Sequence, residues 1–162
     1  MIGFPIFIPP MLDLDGSPDE IISKLYMVFL SDFRGAELLH EGKKVIFDRR
    51  ILPDGQNKEE AFWHLVERKD HKIGNRVLYY PRAKRITWVR PLIECPSHEG
   101  ILVFDYLEGP KDKGVRRYIW LEKFDYIVIL QHKGNKFQLI TAFYIDVDGK
   151  REDLYNRYNK RL

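Results

Sequence analysis

Two runs decide the fold: Tyr126-Ile127-Val128-Ile129-Leu130 and Phe137-Gln138-Leu139-Ile140-Thr141-Ala142-Phe143-Tyr144-Ile145, joined through His132-Lys133-Gly134-Asn135-Lys136. Both are rich in β-branched and aromatic residues, and a short Gly-Asn connector between such runs reads as a β-hairpin. Working upstream, Arg116–Leu121 and Ile101–Leu107 have the same character, with the connector Gly109-Pro110-Lys111-Asp112-Lys113-Gly114 between them. Four consecutive strands joined by short connectors predict an antiparallel sheet. Downstream, Arg151–Leu162 is polar and carries Leu154, Tyr155 and Tyr158, which suits a closing helix.

Before Gly100 the pattern is helical. Ser17-Pro18-Asp19-Glu20 is a capped helix start, with Pro at the first position and Glu three residues after the Ser cap. Ile21, Ile22, Leu25, Val28 and Phe29 follow as one apolar stripe that should end before Gly35. Lys44–Asp48 is short and β-prone, and Pro53-Asp54-Gly55 reads as a turn. Asn57 with Glu60 predicts the cap of a second helix, fraying between Asp70 and Gly74, in which Glu60, His64, Arg68 and His71 form a polar stripe. Arg76–Tyr80 reads as a short strand, and Pro81–Arg85 as a helical turn. The expectation is an α+β fold, with N-terminal helices packed on a four-stranded, mainly antiparallel sheet and a C-terminal helix. The 162 residues fit a single domain, read as an N-terminal elaboration (1–56), a core (57–150) and the closing helix (151–162).

Composition narrows the class. Hydrophobic residues at 44% and charged residues at 31% describe a globular chain with a core. A single cysteine, Cys95, excludes an internal disulfide framework or a cysteine-cluster zinc site, and suits the cytoplasm. The apolar run Met1–Leu12 lacks a basic leader, holds Pro5, Pro9 and Pro10, and is too short to span a bilayer as a helix. It is expected to pack on the domain as a strand or tail, and no membrane partner is expected.

The net charge of +3 hides a strong polarity. Residues 1–40 carry six acids against Lys24 and Arg34, whereas residues 68–90 carry eight Lys and Arg against Asp70 alone. A basic segment in a nearly neutral chain is a footprint for polyanions, the alternative being a solvated charged face. Here Arg76, Tyr79, Tyr80, Arg82, Lys84, Arg85, Trp88 and Arg90 interleave cations with flat rings, which suits single-stranded RNA. Tyr79 and Trp88 have a simpler alternative as core residues.

Phosphate-binding glycine loops, HExxH, GxSxG and calcium-loop patterns are absent. The five histidines show no metal-ligand spacing, and His64 and His71 on a helix would lie roughly 10 Å apart along its axis. No metal or cofactor is expected. His64 beside Arg68 combines a group that moves protons near neutral pH with one that holds phosphate bidentately. Metal-free RNA cleavage needs those two functions: a proton leaves the attacking 2′-hydroxyl, one reaches the departing 5′-oxygen, and charge on phosphorus is stabilised. The alternative is a surface histidine packed beside Glu60 or Arg68. Thr141 or Tyr144 offers a hydroxyl to a phosphate, against the plain reading of an ordinary strand.

Phe62-Trp63-His64-Leu65-Val66-Glu67-Arg68, then Arg82-Ala83-Lys84-Arg85-Ile86-Thr87-Trp88-Val89-Arg90-Pro91, the aromatic hairpin and Leu139-Ile140-Thr141-Ala142-Phe143-Tyr144 together resemble the barnase/EndoU/colicin/RelE-like (BECR) ribonuclease superfamily, in particular its phage- and mobile-element-borne branches. The resemblance covers roughly residues 57–150. It implies a helical part followed by a four-stranded antiparallel sheet, and metal-free cleavage of RNA, often tRNA or mRNA, by a toxin or a phage or defence effector with a possible cognate inhibitor or immunity protein. Carried over by position, it implies catalytic roles for His64, Arg68, Thr141 and Tyr144, with substrate held by Arg76, Arg82, Arg85, Trp88 and Arg90. A non-catalytic RNA-binding or protein-interaction module on the same fold stays open.

Overall fold

The computed structural model describes residues 5, 7–35, 37–70, 74–110 and 114–162. Helix α1 (Pro18–Phe29) starts as expected, with the Ser17 side chain accepting from the Glu20 backbone and Glu20 returning the bond to the Ser17 backbone N–H. Its apolar stripe buries Ile21, Leu25 and Phe29, and the chain then loosens into a π-turn at Leu30–Arg34.

Among the described residues the main sheet has six strands, not four. The strands are β1 (Leu39–His40), β2 (Lys43–Phe47), β5 (Ile101–Leu107), β6 (Val115–Leu121), β7 (Tyr126–Lys133) and β8 (Lys136–Tyr144), in the order β1-β2-β8-β7-β6-β5. The four expected strands form the antiparallel run, while β2 adds to β8 in parallel and brings β1 with it. The β1–β2 hairpin turns at Glu41 and Gly42, both with positive φ, the geometry that matches strand twist. An element read as N-terminal elaboration therefore completes the sheet.

A separate hairpin pairs β3 (Glu67–Lys69) with β4 (Arg76–Leu78), and α2 (Glu60–Val66) ends where β3 begins. Short α3 (Tyr80–Ala83), a 3-10 turn at Ile86–Trp88 and α4 (Val89–Glu94) follow, and α5 (Lys150–Asn159) closes the described chain.

Alternation along the strands builds two cores. Ile119, Leu121, Tyr126, Val128 and Leu130 face the layer containing α1, α2 and α4. Tyr118, Trp120, Ile127 and Ile129 face α5, whose Leu154 is buried among them. Strand β8 breaks its own alternation: Thr141 pairs with Ile129 but Leu139 pairs with Leu130, so an extra residue bulges between them. Phe137 and Leu139 face the helical layer before the bulge, and Ala142 and Tyr144 face it afterwards. No helix among the described residues is long and apolar enough to cross a membrane. The N-terminal segment packs as a tail: the Pro9 carbonyl accepts from Trp88 Nε1 at 2.8 Å, and the Leu12 amide donates to the Lys84 carbonyl at 2.8 Å.

Candidate phosphate-binding cleft

The expected polar helix stripe does not form. Helix α2 stops at Val66 because Glu67–Lys69 pair with Arg76–Leu78, and the Tyr79 amide extends that pairing to the Val66 carbonyl at 2.9 Å. Nor does Asn57 cap the helix. It takes a left-handed φ of 59°, and Glu59 occupies the cap position without a side-chain capping bond. Glu59 is instead buried and accepts from the Tyr26 hydroxyl at 2.6 Å. His64 keeps Glu60 as its helical neighbour, whereas Arg68 is a strand residue; His71 lies outside the described residues.

Moving Arg68 into a strand places it in an open cleft of about 800 Å³ between the β3–β4 hairpin, α3 and the end of β8. The lining includes Arg68, Tyr79, Arg82, Phe143, Tyr144 and Asp146, with Lys69 and Lys150 adding positive charge and Asp70 a second carboxylate. The Arg68 guanidinium lies over the Tyr79 ring at 3.5 Å and reaches Asp146 at 3.7 Å. The Tyr79 phenol donates to the other Asp146 oxygen, and that bond first, with burial second, pushes its pKa up and keeps it protonated.

Beneath this surface lie two largely buried guanidiniums. Arg82 donates to the carbonyls of His64 and Glu67, and its Nε has no partner. Arg85 is 8% exposed, donates to the Pro81 carbonyl, lies over the Tyr144 ring at 3.8 Å and also leaves Nε without a partner. Neither forms an ion pair among the described residues. Burial lowers both pKa values, the signature of a charge held without full compensation. The fully buried Tyr126 phenol close to them is unpartnered too, and burial pushes its pKa up.

His64 stands at the rim. Thr141 Oγ1 donates to its carbonyl at 3.2 Å, a bond aimed by the β8 bulge, and Arg82 donates to the same oxygen. The imidazole itself is not part of the cleft lining. Its Nδ1 lies 3.0 Å from Arg76 and its Nε2 3.7 Å from Glu60. A guanidinium only donates, so Nδ1 is the acceptor and Nε2 carries the proton. Burial first and Arg76 second hold the His64 pKa below its ordinary value, so the ring is a neutral base at pH 7.

Seven of the nine expected residues thus share one neighbourhood: His64, Arg68, Thr141, Tyr144, Arg76, Arg82 and Arg85. Trp88 is 3% exposed and packs edge-on against Tyr126, the core role that was its alternative, with one edge left in an adjacent hollow. Arg90 belongs to the helical layer, where it binds Glu94 at 2.7 Å and the Asp32 carbonyl at 2.9 Å. Sequence reasoning missed Asp146 and Lys150, which follow β8 in Asp146-Val147-Asp148-Gly149-Lys150; their signal was only position after a strand already under suspicion. Among the described residues, no group of three or more His, Cys, Asp or Glu is placed to hold a metal ion. No family model matches the chain, and neither the curated proteins nor the solved structures contain a match to it.

Proposed function

We propose that this protein is a metal-independent endoribonuclease of the BECR type, cleaving RNA through 2′-hydroxyl attack to a 2′,3′-cyclic phosphate. The observation that carries the reading is the pair of largely buried guanidiniums, Arg82 and Arg85, which among the described residues have no carboxylate partner, beside a cleft that also presents Arg68. Holding cations unpaired costs stability, and RNA is a partner whose phosphates and base acceptors offset that cost. In this reading Arg68 and Arg82 hold the scissile phosphate and stabilise the charge that develops on it. A phosphate that draws Arg76 away exposes His64 Nδ1, which takes the 2′-hydroxyl proton as the new P–O bond forms. The 5′-oxygen departs with a proton, for which the cleft offers the protonated Tyr79 phenol.

A second reading, an RNA-binding module without cleavage, is favoured by one observation: the His64 ring lies outside the cleft lining, with Arg76 on its acceptor nitrogen. Incubating the protein with total RNA in EDTA and mapping fragment ends separates the two. Defined cuts bearing cyclic phosphate support the nuclease; bound but intact RNA supports the module. Cutting that requires an added divalent ion contradicts the His64 mechanism.

A further inference from the structure

A second hollow of about 510 Å³ adjoins the cleft, bounded by Pro10, Met11, Arg85, Trp88, Phe124 and Tyr144. Tyr144 lines both spaces, so a ligand passing that ring occupies the two together. Its walls are flat rings and apolar edges, the surface on which a nucleobase stacks. The polar groups are unequal. Arg85 and Lys123 are donors, while Asp125, the acid of the hollow, is engaged by Arg151.

Arg85 is the informative residue. Although only 8% exposed, among the described residues it pairs with no carboxylate, gives one hydrogen bond to a backbone carbonyl and keeps Nε unsatisfied. Its guanidinium lies over the Tyr144 ring at 3.8 Å and 5.3 Å from the centre of the Trp88 ring, so two of the rings that line the hollow also position it. Nε is sealed beneath the surface, so a ligand in the hollow meets the Nη edge of the guanidinium, and N–H groups there call for a ligand edge carrying acceptors.

We propose that this hollow is a nucleobase subsite, holding the base of a nucleotide whose phosphate lies in the neighbouring cleft and preferring guanine to adenine. Guanine presents two adjacent acceptors, O6 and N7, that match an arginine fork. Adenine replaces O6 with an amino group, setting donor against donor. The proposal rests on the RNA reading of the cleft.

The test is calorimetric titration of the full chain with guanosine 5′-monophosphate, adenosine 5′-monophosphate and ribose 5-phosphate. The guanine nucleotide is expected to bind about tenfold or more tighter than the adenine one, the discrimination a bidentate pair provides. Ribose 5-phosphate should bind weakest. Met11 is 46% exposed on the wall of the hollow, so Met11→Trp narrows the space without entering the core. This variant should reduce the guanine nucleotide to the affinity of ribose 5-phosphate, while ribose 5-phosphate binding and melting temperature stay unchanged. Equal affinity for all three ligands overturns the subsite and leaves the phosphate cleft standing. Adenine at or above guanine overturns the preference. If none of the three binds while total RNA is still bound or cut, the subsite is wrong; if RNA is neither bound nor cut, the underlying RNA reading fails with it.

Discussion

The two ends of strand β8 hold the same side chain in opposite circumstances. Near its start, Arg117 spends its donors on carboxylates: Nε and Nη2 on Asp105 at 2.9 and 3.1 Å, and Nη1 on Glu41 at 2.7 Å. Asp105 also meets His132 Nε2 at 3.0 Å. Burial pushes the Asp105 carboxyl up, but the bonds from Arg117 and His132 outweigh it and hold it below the usual range. Near the other end of β8, Arg85 is buried and Arg82 half-buried as Arg117 is, and among the described residues they find only backbone carbonyls and ring faces. A saturated guanidinium ties strands together. An unsaturated one leaves its charge for the proposed ligand.

The largest effect expected from this contrast is catalytic. His64→Ala should lower the cleavage rate by about 10²–10⁴, the usual contribution of general acid–base catalysis, with RNA affinity within a few-fold and melting temperature nearly unchanged. A normally folded His64→Ala protein cutting at the wild-type rate would remove His64 from the mechanism. A crossed pair of variants sharpens the comparison next. Arg85→Gln should weaken RNA binding about tenfold, in the range for losing a charge-assisted contact, while melting temperature holds or rises because an uncompensated buried charge is gone. Arg117→Gln should do the reverse: RNA affinity unchanged, and about 1.5–3 kcal/mol of stability lost with its charged hydrogen bonds. At about 2–4 °C per kcal/mol for a chain of this size, that loss is read directly by thermal melting.

The contrast was half legible in the sequence. The strands β5 to β8 could be placed within a few residues because period-2 runs of Ile, Val, Tyr and Phe leave little choice. The Ser17 capping box was equally local. What failed depended on distant partners. Glu67-Arg68-Lys69 has good helical propensity, and only pairing with Arg76–Leu78 makes it a strand. Lys43–Phe47 was visibly β-prone, but nothing local announces that it joins β8 in parallel. The cations of residues 68–90 stood out by density, yet density does not tell an arginine with a carboxylate from one without. Arg90 has Glu94, one turn along α4. Among the described residues Arg85 has none, and that distinction underlies the proposed site.

A pH effect of smaller size follows from His64. Its lowered pKa means the free base is present at pH 7, so the cleavage rate should rise with pH through a midpoint below about 6.5 and then level off. Since Arg76 contributes to the lowering, Arg76→Ala should move that midpoint up. Stability should share the sign. His40 is fully buried and its pKa is also lowered by burial, so the unfolded chain binds more protons than the folded one below about pH 6.5, and melting temperature should fall on acidification. A midpoint that Arg76→Ala does not move would detach His64 from the titration. The smallest effect belongs to Arg68, where removing one phosphate contact should flatten the log–log salt dependence of RNA binding by about 0.7.

Photo-crosslinking to a 4-thiouridine-substituted RNA, with the attached peptides identified by mass spectrometry, tests the central claim most directly, because it asks which end of β8 the RNA touches. Crosslinks should fall on Tyr79, Phe143 and Tyr144 and on their flanking peptides, and should weaken in Arg85→Gln. Crosslinks concentrated instead around Tyr106, Arg117 and His132, with the Tyr79 and Tyr144 peptides unmodified, would contradict the account and assign the RNA to the saturated end.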